Sequence, residues 1–301
     1  MIFLSLRHNK LRVNIIYVPV QLGLTMTDLE LFEFDRTGYL KIPELLSRDE
    51  VSCLRGAVDA LISDAEKNLD LQPRVTAPSG AEYHRNNILG YHVSGSLGNR
   101  GSLLVEDFFN VDPTFDCLVN HNTTMSYIEA IVQDRPAINN SELRVRYPGN
   151  ATGAHMGGPG SSKHRFRFID NRVECMMVRM VYFLHDVSAK QGAFCVVPGT
   201  HKSNFRPPYL VDRLLPEDEP GMLALPAKMG DGILFTENLR HGGVTNYSTQ
   251  VRKTLHIGFG PFWLKSQNIA TMDSSPYILN RTLERYDNKQ KQLFNTFPVP
   301  K

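Results

Sequence analysis

Residues 230–260 read GDGILFTENLRHGGVTNYSTQVRKTLHIGFG, and this stretch decides the fold. GILFT and RKTLHIGFG are short runs rich in β-branched and aromatic residues, bounded by Gly, Asn and Ser, which is the signature of strands. Side chains alternate across a strand, so RKTLHIGFG sets Arg252, Thr254 and His256 on one face. The same texture begins at Leu143 and recurs in LRVRY, CMMVRMVYFL, AFCVVP and GMLALPA. Many short strands separated by turns predict a sandwich or barrel.

Upstream the pattern is different. Tyr39-Leu-Lys-Ile42 alternates as a short strand and stops at Pro43. Ser47-Arg-Asp-Glu50 is a capping box, in which hydroxyl and carboxylate satisfy free N–H groups at a helix start. Val51, Leu54, Val58, Leu61, Ile62 and Ala65 then recur at helical spacing, which predicts a helix over about 48–67. A second helix is expected from Asp112 to Val132. Residues 68–105 read as short strands and loops, and residues 68–110 and 203–228 are expected to shape a pocket. Helices come first and strands later without βαβ alternation, which excludes a doubly wound parallel sheet.

The chain has 301 residues, 42% hydrophobic and 21% charged, which excludes global disorder. Thirty-three Lys and Arg against 31 Asp and Glu leave a net charge of +2, so no nucleic acid is expected as a partner. No apolar run reaches membrane-spanning length. Cys53, Cys117, Cys175 and Cys195 form no CxxC pair, which excludes a zinc-finger pattern, and all four are expected to act as small core hydrophobes. Residues 26–301 are expected to form a single domain, with residues 1–25 an extension outside the fold. That extension carries Arg7, Lys10 and Arg12 without an acid, a weak match to a targeting segment that Pro19 and Gln21 interrupt; a cytoplasmic location is expected.

Four features stand in order: Gly153-Ala-His155-Met-Gly157-Gly158; Leu184-His-Asp186 with Gly192-Ala-Phe-Cys-Val-Val-Pro198-Gly-Thr-His201-Lys202; Gly230-Asp-Gly232 with Phe235 and His241-Gly242; and Asn246-Tyr-Ser248 with Arg252. Together with FDRTGYLKIPELLSRDEVSCLRGAVDAL near the start, they make residues 31–262 resemble the phytanoyl-CoA dioxygenase family of iron(II)- and 2-oxoglutarate-dependent oxygenases. The resemblance implies a mainly β fold with flanking helices (α+β): a double-stranded β-helix, the jelly roll of cupin-like proteins. It implies an oxidoreductase that takes iron(II), 2-oxoglutarate as co-substrate and dioxygen, and oxidises a small-molecule substrate.

Such enzymes hold the metal with two His and one carboxylate, leaving positions open for co-substrate and oxygen. The resemblance places the metal ligands at His155 and His241, and the anchor of the co-substrate's far carboxylate at Arg252, whose planar fork suits bidentate binding. The chain departs from the pattern at His155-Met156-Gly157, where His-x-Asp is usual. Three readings stand open. A chloride takes the vacant position, as in related halogenases; another acid serves, with Asp170, Glu174 or Glu237 the candidates; or metal chemistry is lost and the fold binds without catalysis.

Other residues have structural readings beside functional ones. Asp231 reads as a turn former, and Pro198-Gly-Thr-His201 as a corner. Arg179 lies in an apolar strand: facing inward it needs a partner and is a candidate to bind an acidic substrate or 2-oxoglutarate, and facing outward it is an ordinary Arg on a half-exposed strand. Thr254 and His256 share the expected pocket face with Arg252. Lys163-His-Arg-Phe-Arg167 reads as a solvated strand edge.

Overall fold

The computed structural model describes residues 26–294 except 78–79, 133, 157–165, 171, 204, 206, 209–213 and 265–275. Residues 1–25, and Lys163 to Arg165 of the basic run, lie outside the described residues. Two antiparallel sheets make the body. In spatial order, the main sheet holds β1 (Tyr39–Ile42), β13 (Gly232–Thr236), β10 (Val178–Phe183), β15 (Arg252–Pro261), β6 (Pro136–Arg146), β5 (Ser102–Glu106), β4 (Tyr91–Ser96), β3 (Glu82–Asn86) and β2 (Val75–Thr76). The second holds β12 (Leu223–Leu225), β11 (Phe194–Val197), β14 (Arg240–Gly243) and β7 (Thr152–His155). A separate hairpin pairs β8 (Phe166–Ile169) with β9 (Arg172–Cys175).

From β10 onward the chain alternates between sheets: β10 in the main sheet, β11 and β12 in the second, β13 back in the main, β14 in the second, β15 in the main. That winding is the expected double-stranded β-helix. Apart from Arg179, the strand CMMVRMVYFL is apolar because both of its faces are covered. Val181 and Phe183, with Ile233 and Phe235, pack against Phe194, Val196 and Leu225 between the sheets. Met180 and Tyr182 turn the other way and share a cluster with Val51, Leu54, Val58 and Leu61 of α2 (Arg48–Asn68). Helix α1 (Asp28–Thr37) precedes β1.

Most sequence-predicted elements are found where expected. The capping box closes α2, with the Ser47 hydroxyl accepting from Glu50 N at 3.3 Å and Glu50 Oε2 accepting from Ser47 N at 2.8 Å. The helix expected from Asp112 to Val132 is broken in two. Asp112 caps a 3₁₀ turn (Pro113–Leu118), and the His121 side chain starts α3 (Asn122–Ile131) by accepting from Thr124 N. The side chains of Asp112 and His121 each satisfy the free N–H groups of a new start, which an apolar period alone does not reveal.

The structural readings of the turns hold. Asp231 accepts from the backbone N–H groups of Glu44 and Lys228 and pairs with Lys41. At the Pro198-Gly-Thr-His201 corner, Gly199 takes φ 82°, and buried His201 bonds through Nε2 to Asp35 O. Cys175 and Cys195 are buried, but Cys53 and Cys117 are exposed, because they fall outside the buried stripes of their elements. Among the described residues, no helix is long and apolar enough to cross a membrane.

Candidate metal and co-substrate site

His155 ends β7 and His241 sits on its neighbour β14, and the two are direct partners across the ladder. Their rings stand 4.3 Å apart between centroids. Each Nδ1 is engaged by the carbonyl two residues earlier: His155 with Gly153 O at 2.9 Å, His241 with Leu239 O at 2.7 Å. A carbonyl accepts only, so both rings carry their proton on Nδ1 and keep a lone pair on Nε2. Burial pushes the His241 pKa down to about 3, with the neighbouring His155 acting in the same direction. Burial lowers His155 too, although that residue keeps open surface at the cavity rim. Both imidazoles are therefore neutral near pH 7, the form that ligates a metal.

The cavity they face is lined also by Arg144, Arg146, Arg179, Phe194, Phe235, Glu237, Arg252 and His256. Arg252 is 1% exposed. Its Nη1 donates to Gly192 O and its Nη2 to Thr254 Oγ1, while its Nε has no partner. Arg146 lies directly opposite on β6, also with an unpartnered buried Nε. Burial, and next the charge of Arg252, push the Arg146 pKa well down; burial, and next Arg144, bring Arg252 down to about 10. Among the described residues, no carboxylate pairs with Arg146 or Arg252, and Arg146 Nη1 donates to Asn150 Oδ1 at 2.8 Å. A Cβ on Gly243 would lie 3.5 Å from Arg252 Nη1 and 3.6 Å from Arg146 Nε, so this glycine leaves the space above both groups open.

These features fit the implied groups. Two neutral imidazoles with free Nε2 atoms suit a divalent transition metal. Two opposed, under-partnered guanidinium groups beneath a glycine suit a carboxylate of 2-oxoglutarate. Thr254 does not line the cavity; it links Arg252 to His256, whose Nε2 is 3.0 Å from the Thr254 hydroxyl. Arg179 faces inward, as one sequence reading allowed, but protein acids take it: Glu142 at 3.0 Å and Glu237.

The candidate acids separate. Asp170 is exposed in the turn between β8 and β9, and Glu174 pairs with Arg167 on that hairpin; neither lines the cavity. Asp170 sits at the tip of a hairpin whose strands pair only with each other among the described residues, and it does not join the two His in a donor cluster. Glu237 is inside. Burial alone would push its carboxyl up, but the Arg179 guanidinium, with His241 next, holds it down at about 2. No described residue of 68–110 or 203–228 lines the cavity; β2 to β5 instead extend the main sheet beyond β6. A larger cleft, lined by Arg55, Asp59, His185 and Lys253, offers no comparable donors: His185 Nε2 accepts from Lys253 N, and Lys253 pairs with Asp59.

Sequence reasoning missed Arg144 and Arg146. The signal was present in Glu142-Leu-Arg-Val-Arg146, where every second residue is charged.

The buried imidazoles make stability depend on acid. Burial brings His201 to about 4 and His256 well down, alongside His241 at about 3. Unfolded His titrates near 6.5, so the unfolded chain binds more protons below that pH. The stability contributed by neutral burial is fully present above about pH 6.5 and is lost as pH falls toward about 4. We expect the melting temperature, followed by circular dichroism, to be level between about pH 7 and 8 and to drop steeply from about pH 6.5 to 4. A level midpoint down to pH 4 would contradict it.

Known proteins resemble this chain in sequence and in fold. The phytanoyl-CoA dioxygenase (PhyH) family matches residues 34–254. A methylphosphonate hydroxylase of Gimesia maris is 22% identical over 256 residues, covering 79% of this chain and 82% of that protein. HygX from Streptomyces hygroscopicus, solved with nickel, 2-oxoglutarate and hygromycin B bound, superposes with a TM-score of 0.60 at 21% identity, over 84% of this chain and 96% of its own. SnoK, a non-heme α-ketoglutarate-dependent carbocyclase from nogalamycin biosynthesis, superposes with a TM-score of 0.56 at 17% identity, over 85% and 96%. With a family match across most of its length and the fold of such enzymes, the chain belongs to the phytanoyl-CoA dioxygenase family of iron- and 2-oxoglutarate-dependent dioxygenases.

Proposed function

We propose that the chain hydroxylates a C–H bond of a small-molecule substrate, using iron(II), 2-oxoglutarate and dioxygen. The observation that carries this is the register of His155 with His241, both with Nδ1 engaged, in one cavity with Arg252. His155 and His241 would hold the ion through Nε2. The chemistry that bound iron supplies is activation of dioxygen coupled to decarboxylation of 2-oxoglutarate to succinate. The protein's own part is positional. Arg252 and Arg146 take the far carboxylate; Phe194 and Phe235, with rings 5.6 Å and 4.6 Å from that of His241, keep water from the donors.

Glu237 favours hydroxylation over chloride transfer. With a buried carboxylate already in the cavity, the ion has an acidic neighbour without a chloride, whereas a halogenase site relies on chloride for that charge. The surplus of guanidinium groups also supports a substrate bearing an anionic group, the kind that the name of the Gimesia maris relative indicates for that protein. The test is anaerobic loading with iron(II), then oxygen, with succinate counted against 2-oxoglutarate over a panel of small phosphonates and carboxylates. Succinate release coupled to a product heavier by one oxygen supports the proposal. No succinate from metal-loaded protein sinks it, and chlorine in the product would move the assignment to a halogenase.

A further inference from the structure

The chain carries Gly157, not an acid, two residues after His155. A divalent ion held only by neutral donors inside a protein lacks the negative charge that offsets its loss of water. Of the described residues lining the cavity, Glu237 is the one acid. The alternation of β13 explains its place. Ile233 and Phe235 pack between the sheets, and Glu237 follows two residues later on the same face. It is 5% exposed and cannot drift, because Arg179 holds it and Glu142 holds Arg179 in turn.

Arg144 extends this chain of alternating charge at 2.6 Å from Glu142, and its far end, Glu237, lines the cavity that His155 and His241 line. Among the described residues no three such donors close around one point, so Glu237 does not join the two His as a third ligand.

We propose that Glu237 is the acidic partner of the ion held by His155 and His241, acting through space as a fixed charge in place of the acid absent at position 157. This rests on the metal reading given above.

The probe is iron(II) alone, titrated anaerobically into the full chain by calorimetry. Glu237→Gln keeps shape and removes charge. It should weaken iron affinity about 10–100-fold, while Glu237→Asp loses less than about fivefold, on the scale known for groups just outside a metal's ligand set. Gly157→Asp combined with Glu237→Gln should regain at least about tenfold of the loss. That rescue distinguishes a charge acting on the ion from a scaffold role toward Arg179, which an acid at 157 would not restore. Glu237→Gln with wild-type affinity, or no gain in the double variant, overturns the proposal. Should Glu237→Gln not fold, Gly157→Asp alone decides. A gain below about tenfold supports Glu237 as the acid already present, and one of about a hundredfold or more overturns it. Wild-type chain that takes up no iron would overturn the metal reading itself.

Discussion

His241→Ala is expected to abolish succinate formation and to lower iron(II) affinity by on the order of 100- to 1000-fold. Structural sites with four protein donors bind a metal with about 10–16 kcal/mol, so each donor accounts for about 2.5–4 kcal/mol. At about 1.4 kcal/mol per tenfold, that share gives the range stated. His241 is the better target of the pair. It is 6% exposed, and its ring lies among those of His155, Phe194 and Phe235. The variant should still fold, since truncation leaves the β11–β14 ladder intact. It should melt a few degrees lower because the cavity it creates is lined by aromatic rings. Wild-type turnover in a folded His241→Ala protein would remove the metal assignment.

Arg252→Met should separate binding from stability. Loss of two charge-assisted bonds to a carboxylate removes about 3 kcal/mol or more, which is about 100-fold or more in 2-oxoglutarate affinity. The apo protein should tolerate the change. Arg252 faces Arg146 across the ladder, both buried, and burial with the charge of Arg144 already lowers its pKa to about 10. Replacing such a charge by an apolar side chain of similar length is often neutral or stabilising. Against this stands the Gly192 carbonyl, which would lose its donor at a cost of about 1–3 kcal/mol. We expect a melting temperature within a few degrees of wild type without ligand. Saturating 2-oxoglutarate should then raise the midpoint of the metal-loaded wild type but not that of the metal-loaded variant. An equal rise in both would show that Arg252 does not hold the co-substrate.

Much of this site is legible in the chain because strands report their faces. Arg252, Thr254 and His256 recur at every second position, and the structure puts Arg252 and His256 in the cavity with Thr254 bridging them. The same rule applied to Glu142, Arg144 and Arg146 would have found the opposing cations, but a strand alone does not name its neighbour. Pairing of β6 with β15 is a long-range fact of topology. Glu237 was harder. It follows the last residue of β13, where turn chemistry competes with alternation, and its sequence rivals Asp170 and Glu174 differ from it only in where the hairpin of β8 and β9 lies. The break near His121 was hidden for a related reason, since the apolar period continues across both segments.

Strand β7 has one neighbour among the described residues, β14, and the pairing slips between His241 and Gly243. The His155 ring reaches over that irregular seam to the His241 ring. An ion shared between them would rivet a loosely stitched border to the barrel wall. Iron supply and the order of this border are then one equilibrium, and starvation for the metal would loosen the rim before it touched the core.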